Sequence, residues 1–167
     1  MTRIALLSDT HGWLDPQIKN HLKDCHEIWH AGDVGNAGII SEIKQYNLPV
    51  KGVSGNIDGQ DVKNFFPEQL VFHCERVKVM IRHIGGYPPK YNPETKKELL
   101  LQKPALFISG HSHILKVMFD DKIQCLHMNP GAAGRHGWHK VRTMIRFVID
   151  GNNMKDLDVI ELGQRSS

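Results

Sequence analysis

The sequence predicts an α/β fold built around a parallel sheet, on three observations. Short apolar runs alternate with helix-like segments through the first third of the chain. Hairpin-like pairs of apolar runs follow Pro67. Asp, Asn and His side chains recur directly after the apolar runs rather than inside them.

Residues 4–7 are wholly apolar, as a strand covered on both faces requires. Asp15 then offers a helix cap and Pro16 the first helical position, predicting a helix to about Asp24. Residues 28–31 form the second run and lead into Gly32-Asp33. Asn36 is placed to cap a helix whose apolar face is Ile39, Ile40 and Ile43, ending near Asn47 and Pro49. Residues 50–53 are the third run, followed by Ser54-Gly55-Asn56. This βαβαβ order implies parallel strands joined by right-handed crossovers.

Beyond Pro67, residues 70–72 and 77–81 flank a polar turn around Glu75. Residues 92–102 have helical spacing with a Lys/Glu-rich face and stop at Pro104, and residues 105–108 read as another buried strand. Residues 115–119 and 123–126 turn around Asp120-Asp121, and residues 144–149 and 157–162 turn around Asp150-Gly151-Asn152. Both pairs predict hairpins. Residues 165–167 are expected to fray.

A length of 167 residues suits one domain spanning residues 1–167. With 40% hydrophobic and 23% charged residues, the composition excludes an intrinsically disordered chain. The net charge of +3 comes without a dense Lys/Arg cluster, so there is no strong nucleic-acid signal. Cys25, Cys74 and Cys125 are odd in number and widely spaced, which argues against a disulfide framework and for reduced thiols. The chain opens directly on an apolar strand pattern, without a signal-peptide region. No run is long enough to span a membrane, so the expected location is cytoplasmic, with no membrane partner.

The polar residues after each run carry the chemistry. Residues 4–7 are followed by Asp9 and His11, residues 28–31 by Asp33, and residues 50–53 by Asn56 and Asp58. Residues 77–81 are followed by His83, and residues 105–108 by His111 and His113. In open α/β sheets, ligands bind outside the carboxyl ends of the strands, so these side chains would converge. Seven ligands (Asp9, His11, Asp33, Asn56, His83, His111 and His113) exceed the needs of one ion. Two ions with four ligands each require one bridging side chain, and either Asp9 or Asp33 could serve. Imidazole and oxygen donors without thiolate suit manganese, iron, zinc or nickel better than calcium. Two divalent ions against two carboxylates leave a positive surplus that binds phosphate and acidifies a bridging water.

These residues together resemble the signature of the calcineurin-like metallophosphoesterases: Asp-x-His, Gly-Asp, Gly-Asn, His and Gly-His-x-His, in that order. The resemblance is to their small bacterial and archaeal phosphodiesterase branch in particular, which also includes the retromer scaffold subunit of eukaryotes. It extends from Asp9 to the Asn129-Pro130-Gly131 loop. It implies a two-sheet β-sandwich flanked by helices, in four α/β/β/α layers. Carried over by position, it implies Asp9, His11, Asp33 and His113 at the first metal. At the second it implies Asp33, Asn56, His83 and His111, with Asp33 as the bridge. The implied cofactors are two divalent ions, manganese first, with iron, zinc, nickel or magnesium as alternatives. The implied reaction is in-line attack on the phosphorus of a small phosphoester by a metal-bridging hydroxide, with Asp33, Asn56, His83 and His111 at the reacting centre.

The sequence also departs from the pattern. Many relatives carry histidine after the Gly-Asn pair, where it can protonate the leaving group; Ile57 cannot. Asp58 follows and is the remaining candidate to orient a histidine or act as an acid. Activated esters or diesters are therefore expected to turn over better than simple monoesters. His83 lacks the glycine that often follows it, and Ala132 stands where relatives commonly have serine.

Arg135, His136, His139 and Lys140 form a basic loop near the expected metal edge, and Trp13 and Tyr87 could wall a cleft. His30 reads as a packed core residue, and Ser8 and Ser109 as strand-end packing. Two other functions compete. One is a catalytically weak protein-interaction scaffold of the same fold; the other is a nuclease, for which the charge pattern shows no basic groove. Exposed hairpin edges leave room for a homodimer.

Overall fold

In the computed structural model, which describes residues 1–166, the chain alternates strands with short helices before closing in hairpins. It runs through β1 (Thr2–Leu7), a 3-10 helix (Pro16–His21), β2 (Glu27–His30), α1 (Ala37–Lys44), β3 (Val50–Gly52) and α2 (Gln60–Lys63). Next come β4 (Gln69–Cys74), β5 (Val77–Arg82), the small pair β6 (Gly86–Tyr87) and β7 (Lys90–Tyr91), and α3 (Pro93–Gln102). It ends with β8 (Leu106–Ile108), β9 (Lys116–Asp120), β10 (Cys125–Asn129), β11 (Val141–Asp150) and β12 (Asn153–Gln164).

Two five-stranded mixed sheets result, ordered β12-β11-β1-β2-β3 and β4-β5-β8-β10-β9. Strands β1, β2 and β3 are mutually parallel, as are β5, β8 and β10. The two sheets face each other, with helices on both outer sides. Alternation along the strands explains the layering. Ile4 and Leu6 of β1 pack between the sheets with Val79, Ile81, Leu106 and Ile108. Ala5 and Leu7 point the other way, onto Ile39, Ile40 and Ile43 of α1. In the second sheet Met80 and Phe107 face outward onto Leu99 of α3. Strands buried on both faces must be apolar throughout, which is why these runs are so legible. The fold is the four-layer sandwich that the resemblance implied.

Several local expectations shift. The segment after Asp15 is a six-residue 3-10 helix rather than a helix to Asp24. Asp15 still caps it by accepting from the backbone N of Gln17, but only Ile18 is buried, so no apolar face extends it. Asn36 holds the cap position of α1 without a side-chain bond; Asp61 of α2 accepts from the Ala37 backbone N instead, at 2.9 Å. α1 also stops at Lys44. α2 and the β6–β7 pair are too short to leave a periodic signal. Arg165 does not fray: its Nε donates to the His139 carbonyl at 2.9 Å. Ser167 lies outside the described residues. The three cysteines are buried and free, and among the described residues no helix is long and apolar enough to cross a membrane.

Candidate metal centre

The loops after β1, β2, β3, β5 and β8 meet at one end of the sandwich, stitched by backbone hydrogen bonds. Asp9 N donates to the Gly32 carbonyl at 2.9 Å, His11 N to the Asp33 carbonyl at 3.0 Å, and Gly110 N to the His83 carbonyl at 3.0 Å. Within this frame Asp9, His11 and His113 form one group of donors, and Asp33, His83 and His111 a second. In each group the donor atoms lie within 4.8 Å of one another.

The two groups adjoin. Asp33 Oδ2 lies 3.4 Å from His11 Nε2 and 3.2 Å from His83 Nε2, so one oxygen reaches both. Asp9 Oδ1 stands 3.1 Å from His113 Nε2, 3.7 Å from His11 Nε2 and 3.8 Å from His83 Nε2. Ligand atoms held about 2.1 Å from a cation are separated by roughly 3.0–3.4 Å in octahedral or tetrahedral arrangements. The Asp33–His11, Asp33–His83 and Asp9–His113 spacings therefore suit shared ions, while Asp9 stands slightly farther from His11 and His83. Each carboxylate anchors its other oxygen in the protein. Asp9 Oδ2 accepts from Ser8 Oγ at 2.6 Å and His111 N at 3.2 Å; Asp33 Oδ1 accepts from Ile57 N at 3.1 Å. His83 Nδ1 donates to the Ala31 carbonyl at 2.7 Å, which turns the Nε2 lone pair toward Asp33. Asn56 Oδ1 sits 3.0 Å from His111 Nδ1, bringing the seventh candidate to the second group.

The chemistry of the site fits a cation. Asp9 Oδ1, His11 Nε2 and His83 Nε2 are buried with no hydrogen-bond partner among the described residues. Three orphaned polar atoms aimed at one place are costly unless a ligand satisfies them. Burial alone would raise the Asp9 carboxyl, but the imidazoles of His11 and His113 beside it hold it well below the usual carboxylate range. Burial likewise opposes ionisation of Asp33, and His11 and His83 outweigh it. The His11 ring is pushed up to about 9, the two carboxylates prevailing over burial, and His83 rises for the same reason. His111 is lowered by burial and by the neighbouring His83. Two anionic carboxylates that call for positive charge between them are what a divalent ion supplies.

Backbone strain is concentrated here. Asp9, His11, Asp33, His111 and His113 all adopt positive φ, between 46° and 72°. Side-chain-bearing residues rarely occupy this region, and strain of this kind clusters where function demands it. Two glycines admit the close packing. A Cβ on Gly32 (φ +104°) would lie 2.5 Å from His83 Nδ1, and one on Gly55 would lie 2.1 Å from Asp33 Oδ1.

A model of the calcineurin-like phosphoesterase superfamily domain matches residues 2–152. The chain belongs to that superfamily. No curated protein sequence matches significantly. Among solved structures, Vps29 from Entamoeba histolytica aligns with a TM-score of 0.74 at 16% identity, over 96% of this chain and 99% of that one. A conserved phosphoesterase predicted in Streptococcus pneumoniae aligns at 0.72 and 20%, over 96% and 90%. An archaeal phosphodiesterase aligns at 0.71 and 18%, over 95% and 100%. At these identities the likeness establishes the shared fold.

Within this calcineurin-like fold, Asp58 serves the frame. Its Oδ2 accepts from Val34 N at 3.1 Å and Gly55 N at 2.8 Å, and its Oδ1 from Gly35 N at 2.9 Å. It thereby ties the Gly-Asp loop to the Gly-Asn loop. His30 is fully buried; its Nδ1 accepts from Gly32 N at 3.1 Å, and its Nε2 meets Thr10 Oγ1 at 3.0 Å. The basic loop after Gly131 covers the first donor group. His136 stacks on His11 with ring centroids 4.7 Å apart, and His139 meets His113 edge-on at 5.1 Å. The Arg135 guanidinium lies 3.9 Å over the Trp13 ring. The signal available for this loop was its position after a strand end, without any motif.

Proposed function

We propose that this chain is a divalent-metal-dependent phosphoesterase that favours phosphodiesters and activated esters over simple monoesters. The carrying observation is the single oxygen, Asp33 Oδ2, within 3.4 Å of a histidine from each donor group. In this reading Asp9, His11, Asp33 and His113 hold one cation. Asp33, Asn56, His83 and His111 hold the other, with manganese the first candidate. Two such ions supply Lewis-acid charge for the phosphoryl oxygens and lower the pKa of an attacking water.

The protein's own groups set the rest. Asp9 and Asp33 stay anionic and fixed by their second oxygens, so little reorganisation accompanies reaction. Asn56 is exposed beside His111, where its amide can orient a phosphoryl oxygen. Ile57 is 47% exposed and offers no proton to a leaving group. Poor leaving groups therefore depart slowly, which supports the preference for activated esters and diesters. The buried free cysteines support a reducing, cytoplasmic setting.

A second reading, a protein-interaction scaffold, is favoured by edge strand β9, where Val117, Met118 and Phe119 are exposed. An apolar edge of this kind suits a partner chain or a second copy. One assay separates the readings: strip the protein with chelator, restore manganese, and follow bis(p-nitrophenyl) phosphate and p-nitrophenyl phosphate. Metal-restored hydrolysis with faster diester turnover is expected. A folded protein inactive with every divalent ion would overturn the enzyme and leave the scaffold.

A further inference from the structure

A cleft of about 290 Å³ opens beside the second donor group, sharing Asn56 and His83 with it. Its remaining wall combines Ser54, Lys63, Glu68, Arg82, Ile84 and Glu94. Two cations and two carboxylates balance, so the cleft presents donors and acceptors without net charge. Arg82 is fixed in place: its Nη1 donates to Gln69 Oε1 at 3.0 Å and its Nη2 to Glu94 Oε2 at 2.8 Å. Lys63 and Glu68 make no ion pair among the described residues, although both line the cleft. Ser54 is 3% exposed, and its hydroxyl has no hydrogen-bond partner among the described residues.

We propose that this cleft is a subsite for the alcohol portion of the substrate and that it selects a neutral, hydroxyl-bearing substituent such as glycerol or ribose. The inference rests on the phosphoesterase reading and adds the substrate class to it. Alternating carboxylates and ammonium or guanidinium groups match hydroxyls, which both donate and accept. With its two cations offset by two carboxylates, the cleft exerts no net pull on a second phosphate or a carboxylate, whose desolvation would go uncompensated. A plain alkyl group would leave the polar walls without partners, a larger cost than the contact it gains. Ile84 is the apolar part of the wall against which a carbon skeleton can lie.

The test uses three manganese-loaded reactions with one leaving group: 2,3-dihydroxypropyl, ethyl and carboxypropyl p-nitrophenyl phosphate. The dihydroxypropyl ester is expected to show a KM roughly tenfold below the ethyl ester at similar kcat. Lys63→Met and Glu68→Gln, both at exposed positions, should bring the KM values of the dihydroxypropyl and ethyl esters together. Calorimetric binding of dihydroxypropyl and ethyl methylphosphonate should give the same ranking without turnover. Equal KM values for the first two esters, equal binding of the two phosphonates, preference for the carboxylated ester, or variants that impair all esters alike would each overturn the subsite. No hydrolysis of any ester, with the binding preference intact, would overturn the catalytic reading and keep the cleft's selectivity.

Discussion

Oδ2 of Asp33 lies 3.2 Å from Nε2 of His83, while the other oxygen of the same carboxylate accepts from the Ile57 backbone N. The carboxylate is therefore held by the loop that carries Asn56 and aimed at a histidine from the opposite sheet. One residue thus links both sheets, and through His11, at 3.4 Å, it links both donor groups. In the proposed reading this junction is where the two cations would meet.

Gly55→Ala tests the packing behind that junction. The new methyl would lie 2.1 Å from Asp33 Oδ1 and 2.4 Å from Asp33 N, so the carboxylate must move. The expected cost is about 1–3 kcal/mol of stability, with metal-dependent activity falling at least about tenfold. Urea unfolding and the nitrophenyl diester assay measure the two effects. Unchanged activity would show that Asp33 tolerates displacement.

Metal affinity should rise with pH. His11 is pushed up to about 9 by Asp33 and Asp9, so without a cation it carries a proton at neutral pH. An ion needs the neutral ring, so binding at pH 7 should release a proton and tighten as pH approaches 9. Titrations of the chelator-treated protein in buffers of different ionisation enthalpy report that release. Binding without proton release would contradict the charge assignment.

Stability of the chelated protein should fall in mild acid. Burial holds His30 and His127 down to about 4, against about 6.5 in an unfolded chain. Between these values the unfolded chain takes up protons that the folded one refuses. Stability from these residues is fully present above about 6.5 and is lost as pH drops toward 4, by up to about 3 kcal/mol per histidine. Urea midpoints at pH 7 and 4.5 check this. An unchanged midpoint would show that the two rings titrate normally in the folded state.

Ile57→His should restore a leaving-group acid at an exposed position beside the Gly-Asn loop. Monoester turnover is expected to rise about tenfold or more, with little change for nitrophenyl diesters, whose leaving group departs unaided. A uniform change across both substrates would point to altered metal binding instead.

Much of this was legible in sequence, for a physical reason. Strands such as β1 and β8 are buried on both faces, so residues 4–7 and 106–108 had to be apolar. A candidate ligand that must sit at a strand's carboxyl end then follows such a run closely, as Asp9 and His111 do. The structure brings all seven candidate ligands to one end of the sandwich. What sequence could not show depends on contacts between distant loops. By its place after Ile57, Asp58 reads as a residue to orient a histidine or act as an acid, whereas the backbone amides its oxygens accept from, 3 to 24 residues away, are visible only in the fold. His136 has no periodic setting, and only the fold stacks it on His11. The cap that Asp61 supplies to α1, and the place of Lys63 in the cleft wall, likewise arise from α2, a helix too short to announce itself.

The most direct test is to count ions and follow hydrolysis in one titration of the chelated protein and its Asp33→Ala variant with manganese. The account predicts two ions per wild-type chain, with diester hydrolysis appearing as the second binds. It predicts at most one ion in the variant and a loss of activity of at least about a hundredfold. Hydrolysis that saturates with one ion, or a variant that keeps two ions and full activity, would contradict a centre bridged by Asp33.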